Sequence, residues 1–403
     1  MKFDKIRVVP GTLKTILSLA KLFEEKNISY QFVGPTSLAI QGIQMEGSKS
    51  IFIDVQWDAL EQVYALFLDD LPSEIKKDVK SASFTFDYNE NRVHIHCEYN
   101  ITIRTNPYRI AVVLEEVKVW CLSFYTYLYN PKANPVLGEK VHSYLLNNQK
   151  QMTKANQMAW NQNNYEALIN RYGEPANAAM KIRENPEWRL HPFIKYMGDL
   201  KDKKILHLMG SNGVKGVALS LLGANVTIVD FSAENERFAK ELAREAGVTL
   251  EYVVSDVLNL TDLIQNEDYD MVLLELGVLH YFIDLHPLFS SIYSKLSKGG
   301  IFILHEFHPI STKLITSSGK KHKVTGNYFD PSLEEVNVAF SKHMGSEHQT
   351  ELSKSLQRKW TLGEVVTAVG QNGLRITVLE EEPNHKIHDI GLPKTYTLVA
   401  GKP

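Results

Sequence analysis

Three glycines, Gly210, Gly213 and Gly216, follow the apolar run Ile205 to Met209 and open a second apolar run that closes at Gly223. A third run then ends on Asp230. Glycines placed this way let backbone amides and a helix N-terminus come close to a ligand. An acid about 20 residues further on can accept hydrogen bonds from two ribose hydroxyls. A second acid, Asp256, closes another apolar run where it could accept from an adenine amino group. His280, Tyr281 and the cluster HEFHP, with His305, Glu306 and His308, bring side chains able to take a proton near neutral pH. The chemistry in view is capture of an adenosine-containing ligand beside a proton acceptor.

The elements that must position these groups alternate strand and helix. Strand Ile205 to Met209 leads through the glycine turn into a helix and then into the strand ending at Asp230, a βαβ unit. Helix Glu234 to Ala246, strand Leu250 to Val254, strand Tyr269 to Glu275, helix Leu285 to Leu296 and strand Ile301 to Glu306 continue the rhythm. This pattern predicts a doubly wound parallel sheet with helices on both faces, an α/β fold. Ligands bind such sheets outside the carboxyl ends of the strands, where the turn, both acids and the histidines all fall. Residues 311 to 350 break the rhythm and read as a loop-rich insertion covering that edge. Helix Leu362 to Asn372 and the segments Leu374 to Leu379 and Thr395 to Val399 follow, the last two as an antiparallel terminal pair.

The first 148 residues read differently. Helix Thr12 to Lys26, strand Tyr30 to Val33, short helix Thr36 to Gln41, strand Ile51 to Val55, helix Trp57 to Leu68, strands Ala82 to Asp87, Val93 to Tyr99 and Lys118 to Leu122, and a helix near Gly138 to Asn147 predict an α+β domain. The polar stretch Asn147 to Gln157 has neither strand nor strong helix periodicity and suits a linker or an exposed connecting helix. The expected division is 1–148, a linker over 149–159, and 160–403.

Composition narrows the classes. A chain of 403 residues exceeds the roughly 250 to 300 at which one core stops growing. A formal charge of −3 with no basic run disfavours a nucleic-acid partner, so a neutral small molecule is expected and self-association stays open. The only cysteines, Cys97 and Cys121, lack metal-ligand spacing, and no metal is expected. LKTILSLAKLF reads as an amphipathic helix and not as a leader. No apolar run nears the ~18 residues needed to cross a bilayer, so no membrane association and a cytoplasmic location are expected.

The glycine turn departs from G-x-G-x-x-G: in G-S-N-G-V-K-G the first two glycines are three apart. Together with Asp256 and the terminal strand pair, this separates the segment from a dehydrogenase fingerprint. The last 245 or so residues instead resemble the class I S-adenosylmethionine-dependent methyltransferases. LHLMGSNG is similar to that family's first motif, SDVL (Ser255 to Leu258) to its adenine motif, and YDMVLLELGVLHYF to its fourth. The resemblance implies that Gly210, Ser211, Asn212 and Gly213 hold the methionyl part of S-adenosylmethionine. Asp230, Phe231 and Ser232 would face the ribose, Asp256 and Val257 the adenine, and Glu275 the amino group. Trp160 and Tyr165 would close over the cofactor. His207 stands where the family usually has an acid.

The implied activity is methyl transfer to an O or N atom of a small molecule. His305, His308 and Tyr281 are the candidate catalytic residues. Each side chain has a structural use as well: Asp230 or Asp256 as a helix cap, the histidines as local hydrogen-bond partners. A cofactor sensor without turnover, or an RNA methyltransferase, are the alternatives.

YQFVGPTSLAIQG followed by SIFIDVQWD resembles the nucleotidyltransferase fold. That family needs two carboxylates on one strand, spaced by two, to hold Mg²⁺. Phe52 takes the first place and leaves Asp54 alone, and RVHIHCEY puts His94 and His96 where a third carboxylate belongs. The reading is an inactive nucleotidyltransferase-like domain, and an active fusion is its rival.

Overall fold

The computed structural model describes residues 8–45, 49–129, 134–260, 263–319, 321–344, 352–384 and 391–403. The chain divides between Asn147 and Asn148 into two compact units.

The N-terminal unit opens with α1 (Pro10–Glu25). Pro10 starts the helix, and Ile16, Leu19, Ala20 and Phe23 form its buried stripe. Strand β1 (Tyr30–Phe32), α2 (Gly34–Ile40), β2 (Ser50–Val55), α3 (Leu60–Leu66), β3 (Lys76–Lys77), β4 (Ser81–Tyr88), β5 (Asn91–Glu98), β6 (Arg109–Leu114), β7 (Val117–Leu122) and α4 (Tyr125–Tyr129) follow. The seven strands form one mixed sheet in the order β3-β4-β5-β2-β1-β7-β6. Strand β2 buries Ile51, Ile53 and Val55 in the core and turns Phe52 and Asp54 to the other face. The sequence reading had no strand at β6. It pairs with β7 across Glu115 and Glu116, both left-handed (φ 45° and 67°), a hairpin turn without the usual Asn or Gly signal.

Helix α5 (Pro135–Trp160) runs across the dividing point as 26 continuous residues, so of the two readings of 149–159 it is the connecting helix. Gln149, Met152, Asn156 and Ala159 recur at helical spacing and are all buried. The stripe is half polar, which conceals it from a hydrophobic-periodicity reading.

In the C-terminal unit, α6 (Asn164–Tyr172), α7 (Pro175–Glu184) and α8 (Pro186–Arg189) precede β8 (Lys204–Leu208), α9 (Val214–Leu221), β9 (Asn225–Asp230), α10 (Ala233–Ala246), β10 (Glu251–Val254) and β11 (Tyr269–Glu275). Then come α11 (His286–Lys295), β12 (Leu296–Phe307), β13 (Ile315–Ser318), β14 (Lys321–Val324), β15 (Leu333–Val336), β16 (Ser355–Arg358), α12 (Leu362–Gln371), β17 (Arg375–Pro383) and β18 (Pro393–Gly401).

The main sheet runs β10-β9-β8-β11-β12-β18-β17. Strands β8 to β12 are parallel, and β18 is antiparallel to both its neighbours. Central β8 is covered on both faces, so Ile205, Leu206, His207 and Leu208 are all 0 % exposed. Between β8 and β11 the chain order reverses, and the crevice above that switch point is the ligand position of an open α/β sheet. The 311–350 insertion is more regular than its composition suggests. β13 pairs with β14, β15 pairs with β16, and the Lys313 ammonium donates to the carbonyls of Asp330 and Lys359, both at 2.7 Å. Residues 345–351 lie outside the described ones.

Candidate cofactor and acceptor site

The turn after β8 is built by close packing. A Cβ on Gly210 would lie 2.8 Å from Ile228 and 2.9 Å from the His207 ring, one on Gly213 2.5 Å from Ala239, and one on Gly216 2.5 Å from Ile228. The glycines let α9 sit directly on β9. Two non-glycine residues are left-handed here, Met209 at φ 52° and Ser211 at φ 46°, a strained pair in the turn at the switch point. The Ser211 hydroxyl is buried with no hydrogen-bond partner.

Asp230 gathers the turn. Its carboxylate accepts from the amides of Ser211 (3.2 Å) and Ser232 (2.9 Å) and from the Asn235 side chain (3.3 Å). Burial raises its pKa, and these donors oppose the rise. Asp256 accepts from the Leu258 amide at 3.0 Å, and burial raises its pKa too. Val257 beside it is buried. Glu275, at the end of β11, touches the Lys215 ammonium and lies 3.5 Å from His207 Nε2. Burial, then Lys215, pushes His207 down to about 3 and keeps it neutral. The carboxylate that joins Asp230 near the turn is therefore Glu275, from the end of β11, and not a residue at the β8 position that His207 occupies. Lys215 is itself drawn down to about 7 by burial.

Several expected cofactor residues also carry structural bonds. Asn212 caps its own turn through the Val214 amide (3.1 Å), and Ser232 caps α10 through the Asn235 amide (3.2 Å). Trp160 donates from Nε1 to the Tyr281 hydroxyl (3.1 Å) and packs edge-on against Phe340. Met209 and Phe231 join the same apolar cluster. Tyr165 is not brought there: its hydroxyl bonds Glu241 and Arg237 lies 3.9 Å over its ring, so it serves α10.

The candidate catalytic residues fare unequally. His308 has both ring nitrogens committed: Nδ1 accepts from the Ile310 amide (3.2 Å) and Nε2 lies 2.6 Å from Glu381. His305 packs on Phe193 with Nδ1 3.0 Å from the Thr397 hydroxyl, and burial lowers it to about 4. Burial lifts the Tyr281 phenol to about 12, so it stays protonated. His308 is thus engaged at both nitrogens, His305 at Nδ1, and Tyr281 keeps its proton.

On the Glu306 side of β12 a cavity of about 240 Å³ is lined by His280, Phe307, Thr312, Gln357, Lys359 and Trp360, among others. His280 is held neutral, lowered to about 3 by burial and then by Lys359, and its Nε2 is buried without a partner. Its ring crowds Gly277, where a Cβ would lie 3.2 Å away and the backbone is left-handed at φ 78°. Glu306 accepts from the amides of Gly277, Val278, Leu279 and Phe307. All its acceptor positions are thus spent on shaping the loop after β11.

Sequence reasoning missed Gln149 and Asn156. The Gln149 amide bonds the Tyr281 carbonyl (3.0 Å) and the Ile283 amide (2.8 Å), and the Asn156 amide bonds both backbone groups of Leu356 (3.1 and 2.7 Å). Trp360, also missed, donates to the carbonyl of Leu279 (3.0 Å). The seven-residue interval between Gln149 and Asn156 was the available signal. In the N-terminal unit, Asp54 lies 3.0 Å from His96 and Phe52 stacks on His94. The Gly34 amide donates to the Tyr127 hydroxyl at 2.6 Å.

Among known proteins, residues 209–304 match the model of a methyltransferase domain. This segment runs from the glycine turn into β12, and the C-terminal unit thus carries an S-adenosylmethionine-dependent methyltransferase domain, with that cofactor as methyl donor. The fold of the C-terminal unit is the Rossmann-like fold of such enzymes. No curated protein matches the chain. Similar solved structures include an S-adenosylmethionine dependent methyltransferase from Mesorhizobium loti (18% identity, TM-score 0.43, covering 54% of this chain and 99% of that one). Another is magnesium protoporphyrin IX methyltransferase from Synechocystis with bound SAH (14% identity, TM-score 0.39, covering 60% and 96%).

Proposed function

We propose that the methyl acceptor is a small molecule, methylated on an O or N atom, and that it enters the cavity beside His280. S-adenosylmethionine, when bound, supplies a methyl group on a sulfonium, which an acceptor lone pair can take without a metal. The observation that carries the reading is the joint placement of the glycine cradle, Asp230, Asp256 and Glu275 at the carboxyl ends of four adjacent strands, β10-β9-β8-β11. The orphaned Ser211 hydroxyl is a polar group left for a ligand.

In this reading Gly210 to Gly213 hold the methionyl part, Asp230 and the Phe231–Ser232 turn the ribose, and Asp256 with Val257 the adenine. Glu275 receives the amino group, and Trp160 with Phe231 and Met209 excludes water. His280 takes the place first given to His305 and His308. Burial leaves it a weak base, so it orients the acceptor by a hydrogen bond, and the main contribution is in-line positioning. Glu306 fixes the loop that carries His280. The cavity offers no unspent carboxylate at Glu306, and Lys359 is paired with Glu334 at 2.7 Å, which suits a neutral acceptor.

We also propose that the N-terminal unit is a nucleotidyltransferase-like scaffold without transfer activity. Its one carboxylate, Asp54, is spent on His96, and the turn amide of Gly34 is taken by Tyr127.

Calorimetry with S-adenosylhomocysteine is the test. Micromolar binding to the wild type, lost in Asp230→Ala, supports the cofactor site; absence of binding in the wild type sinks it. Turnover of labelled cofactor with a metabolite extract then separates an enzyme acting on small molecules from a sensor, which would bind and never turn over.

A further inference from the structure

We propose that Lys215 reads the α-carboxylate at the methionyl end of the cofactor, and that the Lys215–Glu275 ion pair is the closed form of a two-point clamp which this zwitterion opens. The proposal rests on the reading of Glu275 as the group that receives the cofactor's amino group. Glu275 ends β11, and Lys215 is the second residue of α9, two places after Gly213. Their side chains meet at the switch point between β8 and β11.

The pair is out of character with its surroundings. Lys215 is the one charged residue of α9, VKGVALSL, and the two side chains are only 22 % and 13 % exposed. A partly buried ion pair recovers little of its desolvation cost, and an apolar residue at this place on α9 would pack about as well. Stability is therefore a weak reason for the pair. His207 on β8 and His305 on β12 stand on the strands either side of Glu275, and both are neutral, lowered by burial and then by Lys215. The Phe193 ring, 5.5 Å from the Lys215 ammonium, offers that cation a π-face and no anion. Among the described residues, then, Lys215 is the charge that balances Glu275, and Glu275 the charge that balances Lys215.

A methionyl group brings one ammonium and one carboxylate. Entering between the two side chains, it exchanges one ion pair for two: its ammonium meets Glu275, its carboxylate meets Lys215, and the net charge of the site is unchanged. A ligand with the ammonium alone displaces Lys215 from Glu275 and leaves a partly buried cation without an anion, the costly half-satisfied state. The clamp therefore selects an intact amino acid over a simple amine. Glu275 by itself could not make that choice.

The test compares S-adenosylhomocysteine, by calorimetry on the full-length protein, with its decarboxylated analogue, which keeps the adenosine, the sulfur and the amine. The wild type is expected to prefer S-adenosylhomocysteine by about tenfold or more. Lys215→Gln should lose most of that preference by weakening S-adenosylhomocysteine alone, and Lys215→Arg should restore part of it. Glu275→Gln should weaken both ligands and leave the preference in place, so the measurement stands even if a Lys215 variant fails to fold. A preference unchanged by Lys215→Gln marks a merely structural pair and overturns the proposal. So does a wild type that binds both ligands alike, or a Glu275→Gln protein that no longer prefers the carboxylate. A wild type that binds neither ligand removes the reading of Glu275 and this proposal with it.

Discussion

At the scale of single residues, the turn after β8 combines a fold requirement with a cost. Gly210, Gly213 and Gly216 are demanded by contacts under 3 Å to Ile228, His207 and Ala239, yet Met209 and Ser211 take left-handed backbone as well. A left-handed non-glycine residue costs about 1–2 kcal/mol, and glycine's extra freedom when unfolded returns about 0.5–1. Ser211→Gly also removes a buried hydroxyl with no partner. The expected result is a gain of about 1 kcal/mol in stability by urea unfolding, together with weaker S-adenosylhomocysteine binding if that hydroxyl serves the cofactor. The acids around this turn were legible from spacing, because a strand-end position and a glycine cradle both leave marks in sequence. The roles of His305 and His308 were not. HEFHP gives residue types and alternation, but only the fold reveals that Thr397, Glu381 and the Ile310 amide already hold those rings.

At the scale of elements, α5 shows why polar packing escapes a sequence reading. Periodicity searches look for apolar stripes, and the buried face of Asn147 to Trp160 includes Asn148, Gln149 and Asn156. Strand β6 hides for a related reason: the left-handed turn of the β6–β7 hairpin uses Glu115–Glu116, so turn chemistry is missing, whereas β4 and β5, joined through Asn89–Glu90, were legible from their alternation. By contrast β8 to β11, with strong apolar runs and glycine punctuation, were legible nearly to the residue, and β12 begins five residues before the expected Ile301. The helix also carries a sharp expectation. Asn156 is 0 % exposed and serves both the amide and the carbonyl of Leu356, anchoring β16 and with it the insertion. Asn156→Ala strands two buried backbone groups at roughly 1–3 kcal/mol each. It should lower unfolding free energy by about 2–4 kcal/mol and speed proteolysis between residues 311 and 360, while cleavage in the N-terminal unit is unchanged.

At the scale of the whole molecule, the C-terminal core is built around histidines that burial keeps uncharged. His207 and His305 are 0 % and 4 % exposed, and burial lowers them to about 3 and about 4. A lowered folded pKa means that the unfolded chain binds protons the native one refuses. Their contribution is therefore fully present above pH ~6.5 and is lost as pH falls toward 4. His280, lowered to about 3 as well, joins them, and three such groups give a slope near 4 kcal/mol per pH unit, from about 1.36 kcal/mol for each proton. The buried acids act with the opposite sign. Asp230, Asp256 and Glu306 have raised pKa values, so the native state takes up their protons first and part of the loss is returned as they protonate. Between pH 6.5 and 5 the histidines should win. Urea unfolding across that window should show stability falling with acid, and His207→Leu should flatten the slope by about one proton. A wild-type stability independent of pH over this range would mean that the buried rings are reached by water and protonated in the folded protein. The neutral His207 beside Glu275 would then no longer explain how negative charge is concentrated on Glu275, next to the glycine turn.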